Sequence, residues 1–290
     1  KTIERKDYIK MMKKKNVKEQ IAYLKENTIY KEELSKIEEL DNIQQVEIEL
    51  ERHLINQFEK IIRYFTDDYR KLFRALMLRY EIEDLKLYLR ALERKEDLNK
   101  IEGLSLLKEK YYSFNLKKLK SSHSIEEFIE NLKGTIYYDA LNTYKEEEHA
   151  KIIFYMEMNL DRLYFNSLKS ESKNLKKEDR IIFEKILGIN EDLLNIEWIY
   201  RGIKFYNLLP EELINFTLPN GYEFNYKKLK KMCYSTEEEL KEIVLQTEYD
   251  FLFDTEKDVD LYMERRIQRY LYYRFLNAFK KAKLHITLSI

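Results

Sequence analysis

The fold of this chain is decided by a stretch that occurs twice, YSFNLKKLK at residues 112–120 and YEFNYKKLK at residues 222–230. The two copies begin 110 residues apart (222 minus 112), and further elements recur at a similar distance. Repetition at a fixed distance indicates that a chain is built from related structural units. In a chain of 290 residues, this distance predicts three such units.

Two shorter elements occur three times each and keep the same order in every copy. The first is a threonine, any residue and a tyrosine, and it lies at residues 28–30, 135–137 and 247–249. The second is an apolar residue, an acid and an arginine, and it lies at residues 50–52, 160–162 and 263–265. Eleven or twelve positions before each threonine stands a small polar residue that can begin a helix: Asn16, Ser124 and Ser235.

A fourth element occurs twice, as DLKLYLRA at residues 84–91 and NIEWIYRG at residues 195–202. Apolar residues at helical spacing predict helices over residues 46–65, 68–92, 146–168, 179–187, 193–206 and 259–284. Asp67 and Asp68 are expected to cap the second of these, and Ser235 with Glu238 has the spacing of a capping box. Gly188 predicts a break between the fourth and fifth helices.

We therefore predict an all-α chain of three pseudo-equivalent helical units, covering residues 1–105, 106–215 and 216–290. In each unit, a small helix leads into the Thr-x-Tyr element, and two long helices then pack as an antiparallel hairpin. The third unit is expected to be incomplete at its C-terminal end, because its counterpart of Arg201 would fall near position 311.

The composition excludes several classes of function. Lys plus Arg and Asp plus Glu both number 53, and a net charge of zero argues against a nucleic-acid-binding protein. Tyrosine pairs such as Tyr111-Tyr112, Tyr137-Tyr138 and Tyr272-Tyr273 could stack on bases, but stacking also needs a basic groove. No apolar run approaches the roughly 18 residues that cross a bilayer, and no signal peptide is visible. These features predict a cytoplasmic protein without a direct membrane span.

The residues offer little support for catalysis. The five glycines are scattered, so no phosphate-binding loop exists. Glu146 and His149 have the spacing of a di-iron motif, but such a site needs a second copy that the other histidines do not supply. Cys233, the single cysteine, is expected to be a small core residue. We expect no catalytic site, no cofactor and no metal.

The repeated arginines are the candidate functional residues. In the second element an acid precedes each arginine, which favours structural ion pairs within the units: Glu51 and Arg52, Asp161 and Arg162, and Glu264 and Arg265. The alternative is a ring of like groups that faces a central partner. Arg90 and Arg201 each end a long helix beside a small residue that allows close approach, so for these two we favour a partner interface.

The order of these elements, and above all the stretches at residues 84–91 and 195–202, resembles the C/d subunit of V-type ATPases and archaeal-type ATP synthases. The second stretch continues into LLPEEL at residues 208–213, and the resemblance covers roughly residues 10–95 and 155–250. It implies a funnel of three similar helical units about a pseudo-threefold axis, with neither a catalytic site nor a cofactor. Family members also carry helices before and after the part seen here.

The resemblance implies the role of a socket in the central stalk. Such a socket sits on the cytoplasmic face of the membrane proteolipid ring and receives the tip of the central shaft, formed by D- and F-type subunits. It would couple the shaft to the ring for proton or sodium transport, with Arg90 and Arg201 as candidate shaft contacts. The alternative is a helical scaffold that binds protein partners in a concave surface, although solenoid repeats have only about 20 to 50 residues. A di-iron enzyme ranks third.

Overall fold

The computed structural model describes residues 3–37, 42–144, 149–255 and 258–281. Within these ranges every regular element is a helix, so the predicted all-α class is confirmed. The chain divides into two compact units, residues 1–135 and residues 136–290. The predicted boundaries of three units, near residues 105 and 215, stay a prediction.

The first unit contains two long helices and several short ones. The α-helices are α1 (Arg5–Met12), α2 (Val17–Asn27), α3 (Lys31–Leu34), α4 (Ile43–Ile62), α5 (Asp67–Glu93), α6 (Leu116–Lys120) and α7 (Ile125–Asn131). Single 3₁₀ turns lie at Glu102–Leu104 and Glu109–Tyr111, in the segment that joins α5 to α6.

The second unit also combines long helices with short ones. Its α-helices are α8 (Ile136–Leu141), α9 (His149–Ser172), α10 (Lys177–Lys204), α11 (Pro210–Phe216), α12 (Tyr226–Cys233), α13 (Glu237–Leu245) and α14 (Val259–Lys281). Single 3₁₀ turns lie at Asn142–Tyr144 and Asp250–Leu252.

Each unit is built around the helix hairpin that the apolar spacing predicts. In the first unit α4 packs against α5, and the Phe65 ring in the connecting turn stacks on Phe73 with a centroid distance of 4.1 Å. In the second unit α9 packs against α10, and Leu160 and Leu193 are fully buried there. Burying one such leucine contributes about 1.5–3 kcal/mol, so these apolar stripes stabilise both hairpins.

The Thr-x-Tyr element has one structural task in all three copies, which is to end a short helix. Each threonine hydroxyl donates to a backbone carbonyl three or four residues earlier: Thr28 to Leu24 O at 2.6 Å, Thr135 to Leu132 O at 2.7 Å and Thr247 to Val244 O at 2.7 Å. The last carbonyls of a helix lack partners within it. The hydroxyls supply those partners after α2, α7 and α13.

The predicted helix starts are mostly confirmed. The side chain of Asn16 accepts the Glu19 N–H and begins α2, and the side chain of Ser124 accepts the Glu127 N–H and begins α7. In α13 the capping box lies one residue later than predicted, because Thr236 pairs with Glu239.

Two details of the predicted boundaries were wrong. The N-cap of α5 is Thr66, and Asp67 and Asp68 lie in its first turn. Gly188 does not end a helix, because α10 runs without a break through it. Its lack of a side chain serves packing instead, since a Cβ atom at this position would lie 3.0 Å from the backbone nitrogen of Tyr222.

Candidate functional site

In the first unit, the carboxylate of Asp84 binds the segment 105–113, here called the first connector. Asp84 Oδ1 accepts the Leu106 N–H at 2.7 Å, and Oδ2 accepts the Leu107 N–H at 2.9 Å and the Tyr112 hydroxyl at 2.7 Å. Burial raises the pKa of Asp84 to about 6, although the three donors favour the charged form. The first connector is thereby fixed to the middle of α5.

The neighbouring turns of α5 extend this contact. One turn before Asp84, Glu81 Oε1 accepts the Ser113 N–H at 2.5 Å. One turn after it, the Tyr88 hydroxyl shares a hydrogen bond of 2.6 Å with Ser105 Oγ. Three successive turns of one helix therefore bind both ends and the middle of the first connector.

Arg52 joins α4 to the same connector. Its Nη2 donates to Ser105 O at 2.6 Å and to Gly103 O at 3.1 Å, and its Nε also donates to Ser105 O at 3.1 Å. Its Nη1 lies 2.5 Å from Glu49 Oε1, one turn earlier on α4. Residues three apart on a helix lie on the same side of it, so the structure adds an ion pair with Glu49 that was not predicted.

In the second unit, Asn195 occupies the position of Asp84. Its Oδ1 accepts the Leu218 N–H and its Nδ2 donates to the Leu218 carbonyl, both at 2.8 Å. Asn195 is fully buried. The amide thus pairs with both backbone groups of Leu218. Leu218 lies in residues 217–224, here called the second connector, at almost the same chain distance from Asn195 as Leu106 from Asp84.

The carboxylates of the second unit lie one turn earlier on the long helix. Asp192 Oδ2 accepts the Glu223 N–H at 2.7 Å and the Tyr249 hydroxyl at 2.8 Å, and Oδ1 accepts the Phe224 N–H at 3.2 Å. Burial raises the pKa of Asp192 above its ordinary value. Asp192 matches Glu81, because Asp192 precedes Asn195 by three positions as Glu81 precedes Asp84. Asp192 binds the N–H of Glu223, and Glu81 binds the N–H of Ser113, which is 110 positions earlier.

Glu191 adds a second buried acid beside Asp192. Its Oε2 accepts the Asn220 N–H at 3.0 Å, and burial raises its pKa to about 7. Gly221 lies against Asp192, because a Cβ atom at that position would meet Asp192 Oδ1 at 1.9 Å. The second connector therefore lies directly on α10, and glycine is required for this approach.

Arg162 repeats the contact made by Arg52. Its Nη1 donates to Asn215 O at 2.6 Å, and in both units the arginine and the residue whose carbonyl it binds are 53 positions apart. The half-buried Asp161 precedes it. The ion pairs predicted for this set stay a prediction, and the structure adds that Arg52 and Arg162 each bind a carbonyl.

The third copy of this element differs from the other two. Glu264 and Arg265 are exposed, and Glu264 Oε1 accepts a hydrogen bond from Gln268 at 3.1 Å. The next residue, Arg266, donates to Leu252 O at 2.9 Å. In this copy the arginine that binds a carbonyl is one position later than the repeat predicts.

The two arginines predicted to contact a partner lie near the ends of the long helices. Arg90 is exposed in the last turn of α5. Arg201 is partly exposed in the last turn of α10, 3.7 Å from Glu197 Oε1 and above the Phe154 ring. The small residue after it, Gly202, makes room for Leu213 of α11, since a Cβ atom there would lie 2.4 Å from Leu213 Cδ2. The close approach that Gly202 allows is thus made by a helix of the same unit.

The candidates for catalysis or metal binding were Cys233, Glu146 and His149, and of their side chains the structure describes only that of Cys233. Cys233 is buried, as predicted for a core residue, and burial raises its pKa to about 12. Glu146 and the side chain of His149 lie outside the described residues. Within the described residues, no group of His, Cys, Asp and Glu side chains could hold a metal ion.

The role of the acids that bind the connectors was not predicted from the sequence. Asp84 and Asn195 were noted only as the start of the fourth element, and the arginines were the candidate functional residues. The available signal was an acid inside an apolar stripe, as at Asp84 between Ile82 and Leu85. A carboxylate in such a position is buried and needs hydrogen-bond donors, but nothing local indicates which donors.

Residues 1–288 match the model of the ATP synthase (C/AC39) subunit family. The chain belongs to this family. The match confirms the resemblance that the order of the repeated elements indicated.

Curated relatives in this family are named as the C subunit of A-type ATP synthases. The protein of Methanosarcina acetivorans is 27% identical over 186 residues, which cover 64% of this chain and 50% of the relative. The protein of Methanocaldococcus jannaschii is 28% identical over 226 residues, which cover 74% and 54%. That of Methanococcoides burtonii is 24% identical over 216 residues, which cover 74% and 59%. The chain spans about half the length of the curated relatives that it matches.

Among the residues that the structure describes, no helix is both long enough and apolar enough to cross a bilayer.

Proposed function

We propose that this chain acts as the non-catalytic socket of the central stalk in a rotary ATP synthase or V-type ATPase. In this role it couples a rotating shaft of D- and F-type subunits to the membrane proteolipid ring, for proton or sodium transport. The observation that carries the proposal is the family match over residues 1–288 of an all-helical chain. The chain would lie at the cytoplasmic face of the membrane, as a peripheral part of the complex.

The hydrogen bonds that fix each connector to its long helix, here called the clamps, suit a part that transmits torque. A flexible loop between two helices would absorb a twisting force, whereas a loop hydrogen-bonded along its length passes the force on. Asp84 and Arg52 tie the first connector to both helices of its hairpin. Asp192 and Asn195 tie the second connector to α10. In the proposed assembly, the helical units surround a pseudo-threefold axis as a funnel, and the shaft enters the funnel.

Arg90 and Arg201 remain the candidate shaft contacts in this proposal. Both end long helices, and both side chains reach solvent. Acidic or polar groups on the shaft would pair with them. Truncating one partner of such a desolvated, charge-assisted contact costs about 2 to 5 kcal/mol of binding free energy.

Co-purification tests the proposed role. The tagged chain is co-expressed with D- and F-type shaft subunits. In a separate experiment, it is mixed with detergent-solubilised proteolipid ring. We expect the chain to retain both partners, and we expect calorimetry with ATP to detect no binding. Retention of neither partner by the folded chain would contradict the socket, as would stoichiometric ATP binding.

A further inference from the structure

The first unit contains an open cleft of about 500 Å³. It lies between the end of α4, the first half of α5 and the first connector. The apolar part of its lining comes from Ile62, Met77, Leu78 and Leu107. These side chains are in position to receive an apolar group from outside the unit.

In this cleft the acidic side chains have hydrogen-bond partners, and two arginines have none among the residues that the structure describes. Glu59 accepts the Tyr111 hydroxyl at 2.6 Å, and Glu81 accepts the Ser113 N–H. Arg63 and Arg74 are exposed and line the same cleft, and neither forms an ion pair or a hydrogen bond with another described residue. The cleft therefore presents two available guanidinium groups beside an apolar surface.

The matching place in the second unit is filled by the chain itself. With Asp84 matched to Asn195, Arg74 matches Lys185 and Met77 matches Gly188. There the Tyr222 N–H donates to Gly188 O at 3.2 Å, and Lys185 Nζ lies 4.8 Å from the centroid of the Tyr222 ring. In the first unit a methionine side chain stands at the position where, in the second unit, the connector backbone bonds directly to the backbone of α10. The connector cannot approach in the same way.

We propose that this cleft binds a segment of a protein partner that carries an aromatic side chain next to acidic residues. The aromatic ring packs on Met77 and Leu78 beneath Arg74, in the relation that Tyr222 has to Lys185. The neighbouring carboxylates pair with Arg63 and Arg74. Guanidinium groups suit both contacts, because they stack on aromatic faces and bind carboxylates with two parallel hydrogen bonds. This proposal does not rest on the socket function.

Methyl NMR of the full chain with a defined peptide tests the proposal. The chain has seven methionines, and their methyl groups are labelled with ¹³C, with the Met77 signal assigned by Met77→Leu. The probe is the blocked peptide GSDWDSG, and the control peptides are GSKWKSG and GSDSDSG. We expect GSDWDSG to shift the Met77 signal saturably and to bind at least about tenfold more tightly than either control. No saturable shift, or equal binding of GSKWKSG, would overturn the proposal.

Matched variants in the two units then locate the contact. Arg74→Glu should weaken peptide binding by about tenfold or more, whereas Lys185→Glu, at the same position of the second unit, should change it by less than about twofold. Arg63→Gln should produce an intermediate loss. All three side chains are exposed, and circular dichroism checks that the variants remain folded. Equal losses in Arg74→Glu and Lys185→Glu would place binding elsewhere and refute the assignment.

Discussion

The first and second units fix a connector to a long helix at the same position, but they use different side chains to do so. Asp84 accepts two backbone N–H groups and a phenol, whereas Asn195 accepts one N–H and donates to one carbonyl. A carboxylate can only accept, and an amide can do both. The repeat therefore conserves the place of the clamp, while its chemistry follows the backbone groups that each connector presents.

The two units also differ in how closely the connector approaches its helix. In the second unit Gly188 and Gly221 permit direct backbone contact with α10. In the first unit Met77 occupies the place of Gly188, and an open cleft results. One change of side-chain size in a repeat thus separates a packed interior surface from a surface available to another molecule.

The largest expected effect is that of Asn195→Asp. The new carboxylate would be buried and would face the Leu218 carbonyl, so we expect a loss of about 3–5 kcal/mol in the free energy of unfolding at pH 8. The loss should shrink at pH 5, because a protonated acid can donate to that carbonyl. Urea unfolding at both pH values measures it.

Asn277→Asp, on the exposed face of α14, is the matched control and should change stability by less than about 0.5 kcal/mol. A similar small change for Asn195→Asp at pH 8 would mean that the second clamp contributes little.

The reciprocal change, Asp84→Asn, should cost about 1–3 kcal/mol at pH 7, because one amide cannot accept both connector N–H groups on separate oxygens. The pH dependence has a defined sign. Burial raises the folded-state pKa of Asp84 from 3.8 to about 6, so in this window the folded chain binds a proton that the unfolded chain has lost. The contribution of Asp84 to stability therefore falls as the pH rises from about 4 to about 6. Asparagine does not titrate.

Paired unfolding curves of wild type and Asp84→Asn across this range check that prediction. The stability difference between the two proteins should narrow with rising pH. A difference that widens would show that the hydrogen bonds to the carboxylate outweigh its burial.

The two arginines that bind carbonyls should differ in a graded way. Arg52→Met removes three hydrogen bonds to two carbonyls, and Arg162→Met removes one. We expect losses of about 1–3 and about 0.5–1.5 kcal/mol respectively. Chemical unfolding of the two variants in parallel measures them, and a larger loss at Arg162 would contradict the equivalence of the two contacts.

The smallest effect on stability is expected for the double variant Arg90→Ala/Arg201→Ala. The contact between Arg201 and Glu197 is 3.7 Å long and partly exposed, and such pairs contribute about 0–1 kcal/mol. If these residues meet the shaft, pull-down of D- and F-type subunits should fall strongly while the melting temperature stays nearly unchanged. Unaltered pull-down with a large loss of stability would remove both from the proposed interface.

Periodicity in the sequence was sufficient to predict that the chain is helical and to locate several of its long helices. Apolar residues at helical spacing located α4, α5 and α9, because burial of one helix face depends on residues only three or four positions apart. The helix starts at Asn16 and Ser124 were equally local, since a capping side chain reaches only two or three residues along its own chain. The predicted break at Gly188 was wrong, because the glycine there makes room for a segment more than thirty positions away in the sequence.

The sequence by itself determined the all-helical class, the repeat and, through the order of the repeated elements, the family. Only the tertiary structure decided which polar groups meet. Asp84, Asn195, Arg52 and Arg162 bind backbone atoms 22 to 53 residues further along the chain. Whether a connector offers them an N–H or a carbonyl depends on how it packs on its helix. The sequence pattern carries no record of that orientation, since every residue except proline brings both groups.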